Sequence, residues 1–351
     1  MMRILVINPG ATSTKISIFE DKEEILKKNI EHSASDLAPF EHIIDQFQYR
    51  KDLISKTLKE EGFKVTDFNA VCGRGGLLRH IPSGTYEVTD KVIQDIYNPP
   101  YGEHASNLGT ILAKAIAEEA GIKAYFVDPV SVDEMTDVAR VTGFSGMERE
   151  SFFHALNQKS MGRKASLKLG KKYEEVNLIV VHMGGGVSVA AHEKGRVIDV
   201  YNVKDEGSFS MDRGGSLPVN ALINFCFSGK TKKEVKKALG SKAGVFSYLG
   251  TRDFREVEIK AFSGDEKAKL IFDALVYQHC KDIGAMAAVL KFNVDAIVLT
   301  AGMAHSKKLC SAIADYVGKL APIIVLPGEE EMKSLAEGAL RVLNGELPKE
   351  Y

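Results

Sequence analysis

Small and hydroxyl residues crowd the segment NPGATSTK at residues 8–15, which follows the apolar run at 4–7 and precedes Ile16, Ile18 and Phe19. In a loop between paired strands, such residues let backbone N–H groups and the hydroxyls of Thr12, Ser13 and Thr14 close on phosphate oxygens. A plain hairpin turn is the competing reading of the same composition. The spacing of the P-loop lysine motif is absent here and elsewhere in the chain. The segment HMGGG at 182–186, set between the apolar runs at 178–181 and 187–190, repeats the design about half a chain later. Three glycines permit close backbone approach to a ligand, and they also serve tight turns. The recurrence favours phosphate binding at both places.

Two arginines are set in glycine: Arg74 in GRGG at 73–76 and Arg213 in DRGG at 212–215. Most of the 46 cations of such a chain are solvated surface charges. An arginine that follows a buried strand and is flanked by bare backbone presents its guanidinium to a ligand. The planar fork suits bidentate recognition of carboxylate or phosphate. His104, His154 and His182 also stand beside small residues or glycine. A lone histidine is more often structural than catalytic, and none of the three has the His-x-x-x-His spacing of a metal pair.

These groups need rigid elements beneath them. The runs at 4–7 and 178–181 read as buried strands, each leading through its loop into a second strand, with a tight turn at 193–195 in the later copy. FNAVCGRGG (68–76) and VDAIVLTAG (294–302) each run from a polar turn through an apolar strand into glycine. Two halves with the same order of hairpin and glycine-ended strand indicate duplicated domains. Helical spacing links Phe40, Ile43, Ile44, Phe47, Ile54 and Leu58 up to Gly62, and Leu108, Ile111, Leu112, Ala115 and Ile116 up to Gly121. Further helices are expected near 266–291 and 329–344, the last opening on acidic residues that a helix dipole favours. Strands alternating with helices make the fold α/β.

A chain of 351 residues has room for about two domains. Its 44% hydrophobic and 26% charged residues exclude a disordered chain. Lys and Arg (46) balance Asp and Glu (47), which speaks against bulk attraction to nucleic acid or to an anionic membrane. No apolar stretch approaches the roughly 18–20 residues of a membrane span, and the run at 4–7 is too short for a signal-peptide core. Cys72, Cys226, Cys280 and Cys310 are scattered, so neither a zinc site nor a disulfide framework is expected, and a reducing, cytoplasmic location is.

Taken in order, NPGATSTK, CGRGGLL, GEHASNLG, FVDPVSVDE, ESFFHALNQKS, VHMGGGVSVAAH, FSMDRGG, YLGTRDFREVE, VLTAGMA and LPGEEEMKSLAEGALRVL resemble the acetate, propionate and butyrate kinase family, its butyrate kinases above all. The likeness runs from about residue 3 to the end of the chain. It implies two duplicated ribonuclease H-like (actin-like ATPase) domains, each with a mixed five-stranded sheet flanked by helices, and an active site in the interdomain cleft. The implied division is 1–132 plus 333–351 for the acid and phosphate side, and 133–332 for the nucleotide side. Asn8, Ser13 and Lys15 match the first phosphate loop of the family, and His182, Gly184, Gly185 and Gly186 the second. Arg74 and Arg213 match two arginines at the carboxylate and the transferring phosphoryl group, and His104 and His154 two active-site histidines. Asp128 and one of Glu330 or Glu331 match acidic positions tied to magnesium, while Asp253, Arg255 and Gly302 fall at the nucleotide end. Taken alone, Asp128 also reads as the residue that caps the turn before Pro129.

The implied activity is reversible, in-line transfer of the γ-phosphoryl group of ATP to butyrate, with ATP/ADP and Mg²⁺ as cofactors and a homodimer or larger assembly. Branched-chain acids (isobutyrate, isovalerate), propionate and acetate are the alternative substrates. Ala11 and Thr12 replace two serines usual in acetate kinases. The segment around 208–215 is also shorter than theirs; because it carries part of the acid pocket, a shorter wall leaves room for a longer acid. A carboxylate is already ionised at neutral pH, so the absence of a catalytic-base motif fits this reaction. The reading from a different class is an actin- or chaperone-like ATPase switch.

Overall fold

Ile4, Leu5, Val6 and Ile7 are all fully buried, as a central strand covered on both faces requires. They form β1 (Arg3–Pro9) in the first of two units of the computed structural model, which describes the whole chain, Met1–Tyr351. That unit comprises Met1–Asp133 and Glu330–Tyr351; the second is Glu134–Glu329. In the first, β2 (Ser13–Glu20) and β3 (Glu23–Glu31) continue from β1 as an antiparallel meander. On the other side of β1 lie β4 (Ala70–Arg74), parallel to it, then β5 (Thr85–Glu87) and β6 (Lys123–Val127), in the sheet order β3-β2-β1-β4-β6-β5.

The second unit repeats this plan. A meander of β7 (Asn177–Met183), β8 (Val187–Glu193) and β9 (Arg196–Val200) is followed by β10 (Ala296–Ala301) and β11 (Ile323–Pro327), both parallel to β7. Its order, β11-β10-β7-β8-β9, matches β6-β4-β1-β2-β3 strand for strand and direction for direction. Both meanders carry a register shift between their second and third strands. The duplicated α/β plan expected from the sequence is therefore present. One detail differs: the first sheet has six strands, because Thr85–Glu87 adds an antiparallel edge to β6. Three residues are too few to show alternation in the sequence. The C-terminal segment lines this edge, with Lys349 N–H donating to Thr85 O at 2.8 Å.

Helices cover the faces. Leu5, Ile7, Val71 and Phe126 form one core with Leu108, Ile111 and Leu112 of the Asn107–Ala120 helix and Ile54 and Leu58 of the Phe47–Glu60 helix. The Glu331–Leu343 helix also packs on β1, β4 and β6. A Cβ on Gly109 would lie 2.7 Å from the Arg74 backbone nitrogen, so the helix meets the end of β4 backbone to backbone, and only glycine fits. In the second unit, Ile179, Val181, Ile297 and Leu299 pack with the Glu266–Val289 and Lys307–Val317 helices. The alternate residues Leu178, Val180, Ala296 and Val298 pack with Met161 and Ala165 of the Ala155–Lys168 helix. No helix is long and apolar enough to cross a membrane.

Three histidines are buried and held neutral. Burial pushes His279 down to about 4 and His192 well below its ordinary value; burial and then the Arg50 charge hold His32 down to about 4. Neither ring nitrogen of His279 has a hydrogen-bond partner. Below pH 6.5 the unfolded chain takes up a proton at this position that the folded chain refuses until about pH 4. Stability is therefore complete above 6.5 and is lost as the pH falls, by about 1.4 kcal/mol per pH unit for one such group. The melting temperature should drop between pH 6.5 and 4, and His279→Leu should shallow that drop; an unchanged pH profile in calorimetric scans of the variant would refute this account.

Candidate active site

In the first unit, three of the expected residues meet. Asn8 lies near the end of β1 and Arg74 at the end of β4, parallel neighbours, so both stand at the carboxyl edge where open α/β sheets bind ligands. Glu331, in the first turn of its helix, takes both: Asn8 Nδ2 donates to its Oε2 at 2.8 Å, and the Arg74 guanidinium forms an ion pair with its Oε1. Beyond Asn8 the chain turns through a bond from Gly10 N–H to Ser13 O at 2.7 Å. Ser13 opens β2, and Lys15 lies exposed on it, in register with Asn8. Buried beneath this turn is the side chain of Arg50. His104 precedes the Asn107–Ala120 helix, where its Nδ1 accepts from Ser106 N–H at 3.2 Å and lies 2.7 Å from Ser106 Oγ.

In the second unit, His154 and His182 stack face to face, with ring centroids 3.6 Å apart and planes 5° from parallel. His182 Nδ1 lies 2.8 Å from Asn157 Oδ1, and its Nε2 lies 3.2 Å from a Glu329 carboxylate oxygen. His154 is tied to a directional chain of hydrogen bonds. His192 is neutral, so with Tyr173 O–H donating to its Nδ1 (2.6 Å), its Nε2–H donates to Gln158 Oε1 (3.0 Å). That fixes the Gln158 amide, whose Nε2 donates to Ser188 Oγ at 2.8 Å. The Ser188 hydroxyl also lies 2.9 Å from His154 Nδ1, and a hydroxyl that donates there leaves Nε2 to carry the ring proton.

The three-glycine turn starts at the end of β7 and closes with Gly184 N–H donating to Gly186 O at 3.0 Å. Arg213 crosses this turn. A Cβ on Gly186 would lie 2.6 Å from Arg213 Nη1, so glycine is what lets the guanidinium lie there. Arg213 Nη1 donates to Val203 O at 3.1 Å. The segment leading to Arg213 hangs on the Glu266–Val289 helix: Ser208 N–H donates to Asp282, whose carboxyl burial pushes up to about 6. Gly184 and Gly185 also line a cavity of about 1010 Å³ together with Asp253, Arg255 and Gly302. Asp253 caps the Phe254–Ala261 helix by accepting from Arg255 N–H at 2.9 Å, and the Arg255 side chain holds its carboxyl below the usual range. Ala301, just before Gly302, has φ 70° and ψ −168°, a conformation that costs about 1–3 kcal/mol outside glycine and is characteristic of ligand-binding turns.

The expected acidic residues stand on different elements, Asp128 just past β6 and Glu330 and Glu331 at the start of the last helix. Asp128 is buried at the end of β6 with φ 39°, and its Oδ1 accepts from Ser83 Oγ at 2.6 Å and Gly84 N–H at 2.7 Å. Those bonds hold the backbone at Ser83 and Gly84, not the turn before Pro129. No three acidic, histidine or cysteine side chains are arranged to hold a metal ion. Glu330 and Glu331 at the helix start suit only a magnesium ion that brings most of its oxygen ligands with it, as phosphates and water. Sequence reasoning passed over Arg50, Ser188, Gln158, Asn157 and Glu329. Asn157 and Gln158 follow His154 at i+3 and i+4, a helical spacing that could have pointed to them.

The Acetokinase family model matches residues 145–321. Over the full length of both chains, the protein is 51% identical to Butyrate kinase 1 of Clostridium acetobutylicum. The acetate kinase of Porphyromonas gingivalis superposes with a TM-score of 0.81 at 20% identity, covering 98% of this chain and 100% of that one. A propionate kinase from Francisella tularensis subsp. tularensis SCHU S4 gives 0.76 at 19% identity, covering 96% and 99%. At those identities the two structures speak for the fold, whereas the full-length match speaks for kinship. The chain belongs to the Acetokinase family.

Proposed function

We propose that this chain is a short-chain carboxylate kinase that transfers the γ-phosphoryl group of ATP reversibly to butyrate, giving butyryl phosphate and ADP. One observation carries the reading: half the residues are shared, from end to end, with a relative called a butyrate kinase. The geometry of each unit agrees with it. The first unit offers Arg74, Asn8 and the turn at 10–13 to a carboxylate and a phosphoryl group. The second offers Arg213, the 184–186 turn and the cavity beside Asp253, Arg255 and Gly302 to a nucleotide.

A carboxylate oxygen of the acid attacks the γ-phosphorus while the bond to the bridging oxygen breaks, and the electron pair leaves on ADP. Charge balances without a proton, so no side chain has to act as a base. The task is to gather anions. Arg74 and Arg213 neutralise the equatorial oxygens, and the Nε2–H of His154 donates a hydrogen bond to them. The Arg74–Glu331 pair is open to solvent in part, so an incoming anion can take the guanidinium and release Glu331. Glu331 or Glu330 would then hold magnesium, which supplies further neutralisation of phosphate charge when bound with the nucleotide. His104 faces the acid side in this reading, and Asp128 braces the turn at Ser83 and Gly84. We place the protein in the cytoplasm as a homodimer or larger assembly, a reading that its four free cysteines support for the compartment.

Incubation with Mg·ATP, hydroxylamine and acids from acetate to isovalerate should give acyl hydroxamate, with the maximum at butyrate. A maximum at acetate would overturn the chain-length reading, and acid-independent ATP hydrolysis without hydroxamate would favour an ATPase switch. Arg74→Ala and Arg213→Ala should each lower kcat on the order of 10³-fold; losses under about tenfold in both folded variants would sink the assignment. Ser188→Ala should lower kcat by roughly ten- to a hundredfold by freeing the His154 tautomer, with Ser188→Thr retaining most activity. Imidazole ¹⁵N shifts check this: a single Nε2–H form in the parent and a mixture in Ser188→Ala is the expected result.

A further inference from the structure

The turn at 10–13 has an unusual support. Arg50, on the Phe47–Glu60 helix, is 0% exposed, and no carboxylate pairs with it. Its Nη1 donates to Gly10 O (2.9 Å), Ser13 O (3.1 Å) and Thr14 Oγ1 (3.0 Å), and its Nη2 to Ala11 O (3.3 Å) and Gln46 Oε1 (2.8 Å). The carbonyl of Thr12 is taken by His32 N–H at 2.9 Å, just past the β2–β3 pairing of Ser13 with Glu31. All four carbonyls from Gly10 to Ser13 thus have donors, three of them from Arg50. The N–H groups of Ala11 and Thr12, both exposed residues, donate to nothing within the protein. His32 adds no second charge: its Nε2 lies 2.9 Å from Thr14 Oγ1, and burial keeps the ring neutral.

A buried cation satisfied only by neutral acceptors is costly to the fold, and an apolar side chain would fill the space without that cost. What a guanidinium does here that no apolar or lysine side chain can do is bind several carbonyls at once in one plane, and leave a positive charge close behind outward-facing amides. We propose that Arg50 is the positioning residue of the first phosphate loop: it turns the carbonyls of 10–13 inward, so that the Ala11 and Thr12 amides face a phosphoryl group, and its charge makes the loop attractive to an anion before any ligand binds. The proposal rests on the reading of residues 8–15 as the phosphate loop.

Full-length Arg50→Gln keeps a planar amide without charge, and Arg50→Lys keeps the charge without the fork. Calorimetric Mg·ATP dissociation constants at low and high salt, with kcat and KM for both substrates, read the effect. Arg50→Gln should raise the Mg·ATP dissociation constant on the order of 100-fold and flatten its salt dependence; Arg50→Lys should raise it about tenfold and keep that dependence. KM for the acid should stay within about twofold in both. Arg50→Gln with the parent's melting temperature and unchanged nucleotide affinity overturns the proposal. If Arg50→Gln does not fold, Arg50→Lys decides, and parent-like affinity in it overturns the clamp. Asn8→Ala and Lys15→Gln separate the two levels. If these also leave Mg·ATP affinity unchanged, the phosphate-loop reading fails; if they weaken it while Arg50→Gln does not, the role of Arg50 alone fails.

Discussion

A guanidinium that is to meet an anion has to be held in place before the anion arrives, by partners that either let it go or leave its charge uncancelled. The three arginines of this chain meet that constraint differently. Arg74 is paired with a carboxylate at a partly exposed site, where such a pair is worth about 0–1 kcal/mol and exchanges easily. Arg213 is held by a carbonyl and lies across bare glycine backbone, with no acid among its side-chain hydrogen bonds. Arg50 is sealed in, surrounded by carbonyls and a hydroxyl, and its charge is not cancelled at all. A partly exposed cation, a clamped one and a buried one together suit a chain whose proposed substrates are anionic.

The doubled topology explains where these residues stand. In each sheet the parallel pair of central strands delivers its carboxyl ends to one edge, and the first hairpin turns back at that same edge. Any residue at the end of β1 or β4 is brought close to the turn by connectivity alone. The copies then diverge in how the turn is braced. Both close through a backbone bond, but the first has Arg50 behind its carbonyls, whereas the second has the stacked pair of His154 and His182 beside it. One backbone plan serves two turns because a different set of side chains satisfies each one's polar groups.

Much of this was legible in the sequence because period and glycine placement are local properties. Continuous apolar runs at 4–7 and 178–181 marked strands buried on both faces, and the glycines beside Arg74 and Arg213 marked places of close backbone approach. Arg50 was not legible. It falls three residues after Phe47 and four before Ile54, on the apolar stripe of its helix, but an arginine is by residue type read as a solvated charge even there. Only the fold shows that this helix passes under the turn at 10–13. Thr85–Glu87 escaped for another reason, being too short to show any period. Ser188 is one serine in an apolar strand, and its value comes from lying opposite His154 and Gln158, contacts about thirty residues away in sequence.

Both units hide a neutral histidine behind a group that needs a fixed direction. In the first, His32 meets Thr14 Oγ1 and stays uncharged next to Arg50, so Thr14 can accept from the guanidinium without a competing cation. In the second, neutral His192 orients Gln158, which donates to Ser188, and Ser188 Oγ lies 2.9 Å from His154 Nδ1. Protonation of His192 would put a second donor against the Tyr173 hydroxyl. Burial that keeps His192 neutral therefore does more than fill space: it sets the direction of the bonds from His192 through Gln158 to Ser188. A hydrogen-bond donor aimed at a phosphoryl group is useful only if it cannot turn round, and low dielectric behind it is what removes the alternative.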